Sequence, residues 1–255
     1  MNKTKIAWTE RTWNPMHGCS KWSEGCRNCY AEVMAKRLKG AGVKTYENGF
    51  APTLNPDVLD EPKRIKKPSM FFVCSMGDLF HKSVPFEYID RVMQVIEETP
   101  QHTYQILTKR DLRMYDYFEA HRRGNVPKNA WLGVSVEDRL QVCRATSLGM
   151  IRNATVRFLS CEPLLGKLHY GHDIELTNID WVICGGESGP KARPMSKEWV
   201  LHLKNLCREN NVPFFFKQWG TYGEDGVKRS VKENGYLLDG EVCREWPKGW
   251  KGGDQ

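Results

Sequence analysis

The sequence has no long apolar segment, and no run of eighteen apolar residues occurs in it. A membrane-spanning helix needs about 20 such residues. The first residues, Met-Asn-Lys-Thr-Lys-Ile-Ala-Trp, also lack the apolar centre of a signal peptide. These absences argue against a membrane anchor and predict a cytoplasmic protein with no membrane partner.

The chain also lacks an even number of cysteines, since it has nine. Cys74, Cys161 and Cys184 lie in apolar runs, where a free cysteine behaves as a small buried hydrophobic side chain. A disulfide framework is therefore not expected.

The bulk composition permits a large folded domain with a polyanionic partner. The 255 residues are 40% hydrophobic, which is ample for one large core or two small ones. The 38 lysines and arginines exceed the 31 acidic residues, giving a net charge of +7, with basic clusters at residues 63–67 and 122–123. Such a balance allows nucleic-acid binding, although ordinary solvated lysines explain it equally well.

Three cysteines near the N-terminus form the most distinctive motif. Cys19, Cys26 and Cys29 have the spacing C-x6-C-x2-C, and glycine precedes each of the first two. Three thiolates on one short loop suit a metal ion or an iron–sulfur cluster. Structural zinc and electron-transfer clusters usually take four protein ligands. Three ligands leave one coordination position open, which indicates chemistry.

From residue 70 onwards, short apolar runs recur at regular intervals. They occupy residues 70–75, 103–108, 130–136, 156–161, 180–184 and 213–217. Their starts lie roughly 24 to 33 residues apart, the size of one βα unit. Continuous rather than alternating apolar strands are typical of a parallel sheet buried on both faces. With a first strand just before Cys19, the pattern predicts an α/β fold: a partial or complete (β/α) barrel of about six to seven parallel strands.

Helices are predicted between these strands. The first runs from Tyr30 to about residue 39, with Ala31, Met34, Ala35 and Leu38 on one face and Gly40 just past its end. A second helix begins near Phe86 and stops before Pro100. A later helix is capped by Ser196.

Two segments stand apart from the repeating pattern. Residues 41–69 contain four prolines and no sustained period, so they are predicted to be an insertion beside the core, with a helical turn around residues 57–66. Residues 220–255 are predicted to be a small β appendix, with a hairpin around the Asp239-Gly240 turn. The barrel itself is assigned to residues 1–219.

Polar groups follow almost every predicted strand. In parallel α/β folds, ligands bind at the carboxyl ends of the strands. The residues in question are Ser75, Gly77 and Asp78 after the second strand, Lys109 after the third, Ser135, Glu137 and Asp138 after the fourth, Cys161 and Glu162 at the end of the fifth, and Gly185, Gly186 and Glu187 after the sixth. Any one of them can be explained as a helix cap, but together they predict a polar pocket beside the cysteine loop.

Individual roles follow from residue type. Gly77 and Asp78 suit an amino group, and Ser135, Glu137 and Asp138 suit ribose or amino-acid contacts. Gly185 and Gly186 would let the backbone approach a ligand closely. A bound amino acid would chelate an open iron through its amine and carboxylate.

The whole set of motifs resembles radical S-adenosylmethionine (SAM) proteins, and more specifically a phage-associated three-Cys-motif family. The resemblance covers nearly the whole chain. It rests on Gly25-Cys26-x-x-Cys29-Tyr30-Ala31-Glu32, Ser75-Met76-x-Asp78-Leu79-Phe80-His81, Leu107-Thr108-Lys109-Arg110, Ser160-Cys161-Glu162-Pro163, Gly185-Gly186-Glu187-Ser188-Gly189 and Phe216-Lys217-Gln218-Trp219-Gly220. The chain departs from the usual C-x3-C-x2-C motif in its first gap, and Asn28 replaces the usual aromatic residue, with Tyr30 following Cys29 directly.

This resemblance implies a mechanism and its components. Cys19, Cys26 and Cys29 would hold a [4Fe–4S] cluster, and Tyr30 and the Ser75–Asp78 stretch would contact SAM. Reductive cleavage of SAM, with electrons from a flavodoxin or ferredoxin, would yield a 5′-deoxyadenosyl radical. That radical would abstract hydrogen from a nucleic-acid-linked substrate, such as an amino-acid-modified thymidine isomerised in phage DNA in the host cytoplasm. Glu162, Glu187, Lys109 and Cys161 are the catalytic candidates.

Two alternatives remain open from the residues alone. The first is a zinc-stabilised nucleic-acid binding module in which His17 joins the three cysteines as a fourth ligand. The second is a barrel without catalysis that serves as a partner protein in a phage-related system.

Overall fold

The computed structural model describes residues 3–248 and 250. Its main feature is a seven-stranded sheet in which the strands follow one another in sequence order. The strands are β1 (Arg11–Trp13), β2 (Met70–Val73), β3 (Thr103–Thr108), β4 (Ala130–Ser135), β5 (Val156–Cys161), β6 (Trp181–Gly185) and β7 (Phe214–Gln218). The pairs β1–β2, β2–β3, β5–β6 and β6–β7 are parallel.

This topology confirms the predicted α/β class and the partial form of the (β/α) barrel. The six apolar runs all became strands, with ends that differ from the predictions by two residues at most. The apolar runs predicted these strands because the strands are buried: every residue of β2, β4 and β6 is buried. The predicted strand before the cysteines is also present, as β1, which ends at Trp13.

The chain divides into two compact units. The first is Met1–Gly133 with Met150–Thr155, and the second is Val134–Gly149 with Val156–Gln255. Strand β4 contributes residues to both. The predicted division of the chain into a barrel, residues 1–219, and a β appendix, residues 220–255, stays a prediction. Residues 1 and 2 of the barrel segment and residues 249 and 251–255 of the appendix lie outside the part of the chain that the structure describes.

Two helices of the first unit match their predicted positions. Helix α1 (Tyr30–Gly40) buries Ala31 and Ala35, but Met34 is 43% exposed, so the predicted apolar face is narrower than expected. Helix α2 (Phe86–Glu98) buries a continuous apolar face and ends before Pro100, as predicted. Helix α3 (Asp111–Asp116) follows β3 directly and continues into a π-helical turn, Tyr117–His121.

The second unit contains α4 (Cys143–Gly149), α5 (Lys197–Glu209) and α6 (Val231–Asn234). The Ser196 hydroxyl accepts a hydrogen bond from the Glu198 N–H, which confirms the predicted cap of α5. The hairpin is also confirmed: Leu237–Leu238 pairs antiparallel with Glu241–Val242, and Asp239 and Gly240 both have positive φ. Two positive φ values are what a tight two-residue hairpin turn requires.

The proline-rich insertion contains short 3₁₀ turns, at Lys44–Tyr46, Pro56–Val58 and Pro62–Arg64. Between them, Thr53–Leu54 pairs antiparallel with Met16–His17, immediately before the cysteine loop. The insertion therefore supports that loop, a role that its sequence did not reveal. Among the described residues, no helix has the length and apolar character needed to cross a membrane.

Candidate functional site

Backbone contacts hold the cysteine loop in the first unit. Gly18 forms a parallel bridge with Gly77, and the Gly18 N–H donates to the Met76 carbonyl at 2.8 Å. Gly18 has φ of 82°, and a Cβ there would lie 2.1 Å from the Ala51 carbonyl oxygen, so this position requires glycine. A 3₁₀ turn at Glu24–Cys26 then leads to Cys29, which directly precedes α1.

The segment after β2 lies against this loop. A Cβ on Gly77 would lie 2.6 Å from the Met16 sulfur and 2.9 Å from the Gly18 oxygen. The Tyr30 hydroxyl donates a short hydrogen bond to the Ser75 carbonyl. The Ser75 hydroxyl in turn donates to Oδ1 of Asn14 at 3.2 Å. Tyr30, Ser75 and Gly77, three predicted cofactor-binding residues, are thus brought together beside the cysteines.

Asp78, predicted to receive an amino group, is buried and accepts hydrogen bonds at both oxygens. Oδ1 accepts from the Phe80 N–H at 3.0 Å and the Thr108 hydroxyl at 2.7 Å. Oδ2 accepts from Arg110 Nη1 at 2.7 Å and from the Lys109 N–H at 3.4 Å. A carboxylate has about four acceptor positions, so these four donors occupy Asp78 fully.

Arg110 connects this carboxylate to the cysteine loop. Its Nη1 lies 3.4 Å from Sγ of Cys19. Its Nη2 donates to the Ser20 carbonyl at 3.1 Å and to the Ser20 hydroxyl at 3.2 Å. The guanidinium also lies over the Trp22 ring, 5.1 Å from the centroid. Arg110 was passed over in favour of its neighbour Lys109, because sequence alone does not show which of two consecutive basic residues points inward.

Burial and neighbouring charges act in opposite directions on the pKa values of the Cys19 and Cys29 thiols. Burial raises the pKa of Cys19 to about 11, with Asp78 adding to the effect and Arg110 opposing it. Burial also raises the pKa of Cys29, while the backbone N–H groups of Glu32 and Ala31 and the charge of Lys109 lower it. Cations and a helix N-terminus are the usual means of favouring a thiolate. The loop therefore already has the groups that would offset the charge of bound thiolates.

The donor set suits an iron–sulfur cluster. Cys19, Cys26 and Cys29 are free, partly exposed thiols on one loop. No three His, Cys, Asp or Glu side chains of the described residues are grouped as the ligands of a metal ion would be. Cluster ligands need not converge on one atom, because each thiolate binds a different iron.

His17, the fourth ligand of the zinc alternative, lies on the short strand before the loop. It is 2% exposed, and its ring is tilted against Tyr46 with centroids 4.6 Å apart. Its Nε2 has no hydrogen-bond partner among the residues that the structure describes, and burial lowers the pKa of the ring. A zinc site would need His17 and the cysteines to converge on one ion, and the described residues do not form such a group.

In the second unit, the three candidates after β4 make local contacts. Glu137 is fully buried and accepts a hydrogen bond from Arg144 Nη1 at 3.0 Å, and the same nitrogen donates to the Ser135 carbonyl at 2.7 Å. Asp138 caps the following turn by accepting from the Leu140 N–H at 2.8 Å. For Asp138 the helix-cap interpretation is therefore confirmed, and the ligand roles of all three stay predictions.

Gly185 and Gly186, which were predicted to let the backbone approach a ligand, lie close to other groups of the protein. A Cβ on Gly186 would lie 1.8 Å from the Trp219 carbonyl oxygen, and one on Gly185 would lie 2.7 Å from Oε1 of Glu162. Glu162 itself forms an ion pair with Lys217 at 2.9 Å. Glu162 and the two glycines thus meet at the ends of β5, β6 and β7.

Two other catalytic candidates are placed less favourably for direct chemistry. Glu187 binds Arg193 through both oxygens, at 2.6 Å from Nη2 and 2.9 Å from Nε. Cys161 is fully buried and lies in register with Cys184 on the neighbouring strand. Burial raises the pKa of both thiols. Their catalytic roles stay predictions.

The chain belongs to the family described as "protein of unknown function (DUF5131)", whose model matches residues 3–247. No curated protein matches the sequence.

Among solved structures, the chain is similar to spore photoproduct lyase. One variant with bound AdoMet and dinucleoside spore photoproduct is 11% identical with a TM-score of 0.48, over 72% of this chain and 57% of that one. A complex with dinucleoside spore photoproduct is 11% identical with a TM-score of 0.49, over 80% of this chain and 62% of that one. This chain thus spans less than two thirds of these structures, and a likeness of this size carries no conclusion about activity.

Proposed function

We propose that the protein is a radical SAM enzyme that acts on a nucleic-acid-linked substrate. In this proposal Cys19, Cys26 and Cys29 hold a [4Fe–4S] cluster, and SAM binds beside it. The observation that supports it most directly is the three-thiol loop with the buried Arg110 guanidinium 3.4 Å from Cys19. A cluster bound by three thiolates is anionic, and a buried anion needs a compensating charge.

The bound cluster and SAM together supply a radical that removes hydrogen from the substrate. The residues of this chain bind and orient the components. Tyr30 and Asn14 fix the Ser75–Gly77 backbone beside the cysteine loop, through the Ser75 carbonyl and the Met76 N–H. We place the SAM contacts of the first unit on this segment. Ser135, Glu137, Asp138, Gly185 and Gly186 remain proposed cofactor contacts because of their residue types and their positions at the ends of β4 and β6.

A polyanionic substrate fits the charge of the chain. Arg64, Lys66 and Lys67 are exposed, whereas Lys63 forms ion pairs with Asp60 and Glu98. The narrower form of the proposal, isomerisation of an amino-acid-modified thymidine in phage DNA, rests on the resemblance to phage-associated proteins. Flavodoxin or ferredoxin would supply the electrons.

Iron and sulfide content tests the cluster. Protein purified anaerobically should contain about four iron and four sulfide per chain. Cys26→Ala should lose the cluster, whereas Cys143→Ala should keep it, because Cys143 is an exposed residue of α4 and is not one of the three proposed ligands. A colourless, zinc-loaded protein would overturn the proposal, and unchanged iron in Cys26→Ala would show that the ligands are wrongly assigned.

Nucleoside analysis tests the substrate. DNA from cells that carry the pathway, with and without the intact gene, should give nucleosides that differ in mass or retention time. Identical nucleoside profiles would exclude DNA as the substrate while leaving the cluster assignment intact.

A further inference from the structure

A buried chain of charged contacts reaches the cysteine loop from the end of β3. Arg110 is 6% exposed and Asp78 is 5% exposed, and their ion pair has an Nη1 to Oδ2 distance of 2.7 Å. The same Nη1 faces Sγ of Cys19, and Nη2 holds Ser20. The guanidinium thus contacts the carboxylate on one side and the cysteine loop on the other.

The surroundings fix Arg110 in this orientation. The Arg110 N–H donates to the Thr108 hydroxyl at 2.9 Å, and that hydroxyl donates to Asp78 Oδ1 at 2.7 Å. Ser20 is held from its other side by Nε2 of His81 at 2.9 Å. Arg110 therefore cannot turn away from Cys19 without breaking its buried hydrogen bond to Asp78 and its part-buried hydrogen bonds to Ser20, and a buried polar group is costly to leave unpaired.

We infer that Arg110, oriented by Asp78, is a positioning residue that holds Cys19 and sets the reduction potential of the cluster. The inference rests on the proposed function. Reduction adds one electron to an already anionic group, and a guanidinium in a low-dielectric surrounding favours that step. Asp78 acts through Arg110 in this account, because its acceptor positions are filled by four protein donors rather than kept for the amino group of SAM.

The charges of Arg110 and Asp78 predict that replacing one or the other shifts the reduction potential of the cluster in opposite directions. Arg110→Gln removes the cation and leaves the Asp78 carboxylate unpaired, so the potential should become more negative. Asp78→Asn leaves the guanidinium uncompensated, so the potential should become more positive. Each shift should correspond to at least a tenfold change in the equilibrium constant for reduction, or 59 mV for a one-electron couple. The double variant should fall between the two, because its net charge equals that of the native pair.

The experiment is a redox titration of the reconstituted cluster with dithionite, without SAM, followed by electron paramagnetic resonance. Arg64→Gln is the control, since it removes the same charge from an exposed position of the same unit. Arg110→Lys keeps the charge but loses the planar fork, so it should retain the native potential and bind iron less firmly.

The outcomes distinguish failure of the proposed function from failure of the inference about Arg110. If the native protein assembles no cluster, the proposed function fails. If it does, and Arg110→Gln and Asp78→Asn keep the potential of Arg64→Gln, the inference is overturned. Should Arg110→Gln fold poorly, Asp78→Asn decides alone, because an unpaired guanidinium beside Cys19 must raise the potential.

Discussion

The Nζ atom of Lys217 lies 2.9 Å from Oε1 of Glu162, so an ion pair joins the ends of β5 and β7. Strand β6 lies between these two in the sheet. On β6, Gly185 lies beside this ion pair: a Cβ on Gly185 would lie 2.7 Å from the same Glu162 oxygen. Glycine at this position therefore makes room for the Glu162 carboxylate that pairs with Lys217.

Gly185 and Gly186 should respond differently to alanine. In Gly185→Ala the new methyl group meets the end of a flexible side chain, so we expect a cost of about 1 kcal/mol. In Gly186→Ala the methyl group meets the Trp219 carbonyl at 1.8 Å, and the backbone has to move. The expected cost there is about 3 kcal/mol or more. Urea denaturation of both variants measures the difference, and equal costs would contradict this explanation of the two glycines.

Glu162 should matter for turnover of the substrate and not for the cluster. If Glu162 transfers a proton, Glu162→Gln should lower the yield of modified nucleoside by about 100-fold. The iron content should be unchanged, because all three proposed ligands lie on the loop before α1. Glu175→Gln, at an exposed position of the same unit, is the matched control. A yield equal to that of the control would remove Glu162 from the mechanism.

Arg144 should be essential for stability. Its partner Glu137 has a side chain with 0% exposure, and Arg144 itself is 6% exposed. Arg144→Met would leave a buried carboxylate without this partner, which typically costs about 3–5 kcal/mol. Arg208→Met, at an exposed position of the same unit, should change the free energy of unfolding by about 0.5 kcal/mol or less. Comparable losses in the two variants would show that the buried pair is not what stabilises this segment.

Stability should also fall in mild acid because of His102. Nδ1 accepts from the Ser69 N–H at 3.2 Å, and Nε2 faces the carbonyls of Pro62 and Ile65, so the buried ring is held neutral. Burial lowers the pKa of His102, with the two carbonyls opposing this.

The sign of the pH effect follows from proton uptake. The unfolded chain takes up the His102 proton near pH 6.5, whereas the folded chain does so only at lower pH. Stability is therefore complete above about pH 6.5 and declines as the pH falls towards the lowered pKa. Urea midpoints between pH 7.5 and pH 5 measure this, and His102→Gln should flatten the dependence. A midpoint that rises in acid would contradict the assignment.

Sequence predicted the strands that are buried on both faces, because short continuous apolar runs at the spacing of βα units, such as residues 130–136, are typical of a buried parallel sheet. It did not predict the pairing of Met16–His17 with Thr53–Leu54, since two-residue strands have no period. It placed Asp78 and the cysteines in one site but missed Arg110, which joins them. Nothing in the sequence shows that Arg144, the second residue of α4, reaches back to Glu137, and the ligand role of Glu137 stays a prediction.

The most direct test of the central claim is the formation of 5′-deoxyadenosine. The reconstituted protein is incubated anaerobically with dithionite and SAM, beside Cys26→Ala and Cys143→Ala. The account predicts 5′-deoxyadenosine from the native protein and from Cys143→Ala, and none from Cys26→Ala. A native protein that holds its full complement of iron and sulfide yet cleaves no SAM would contradict it.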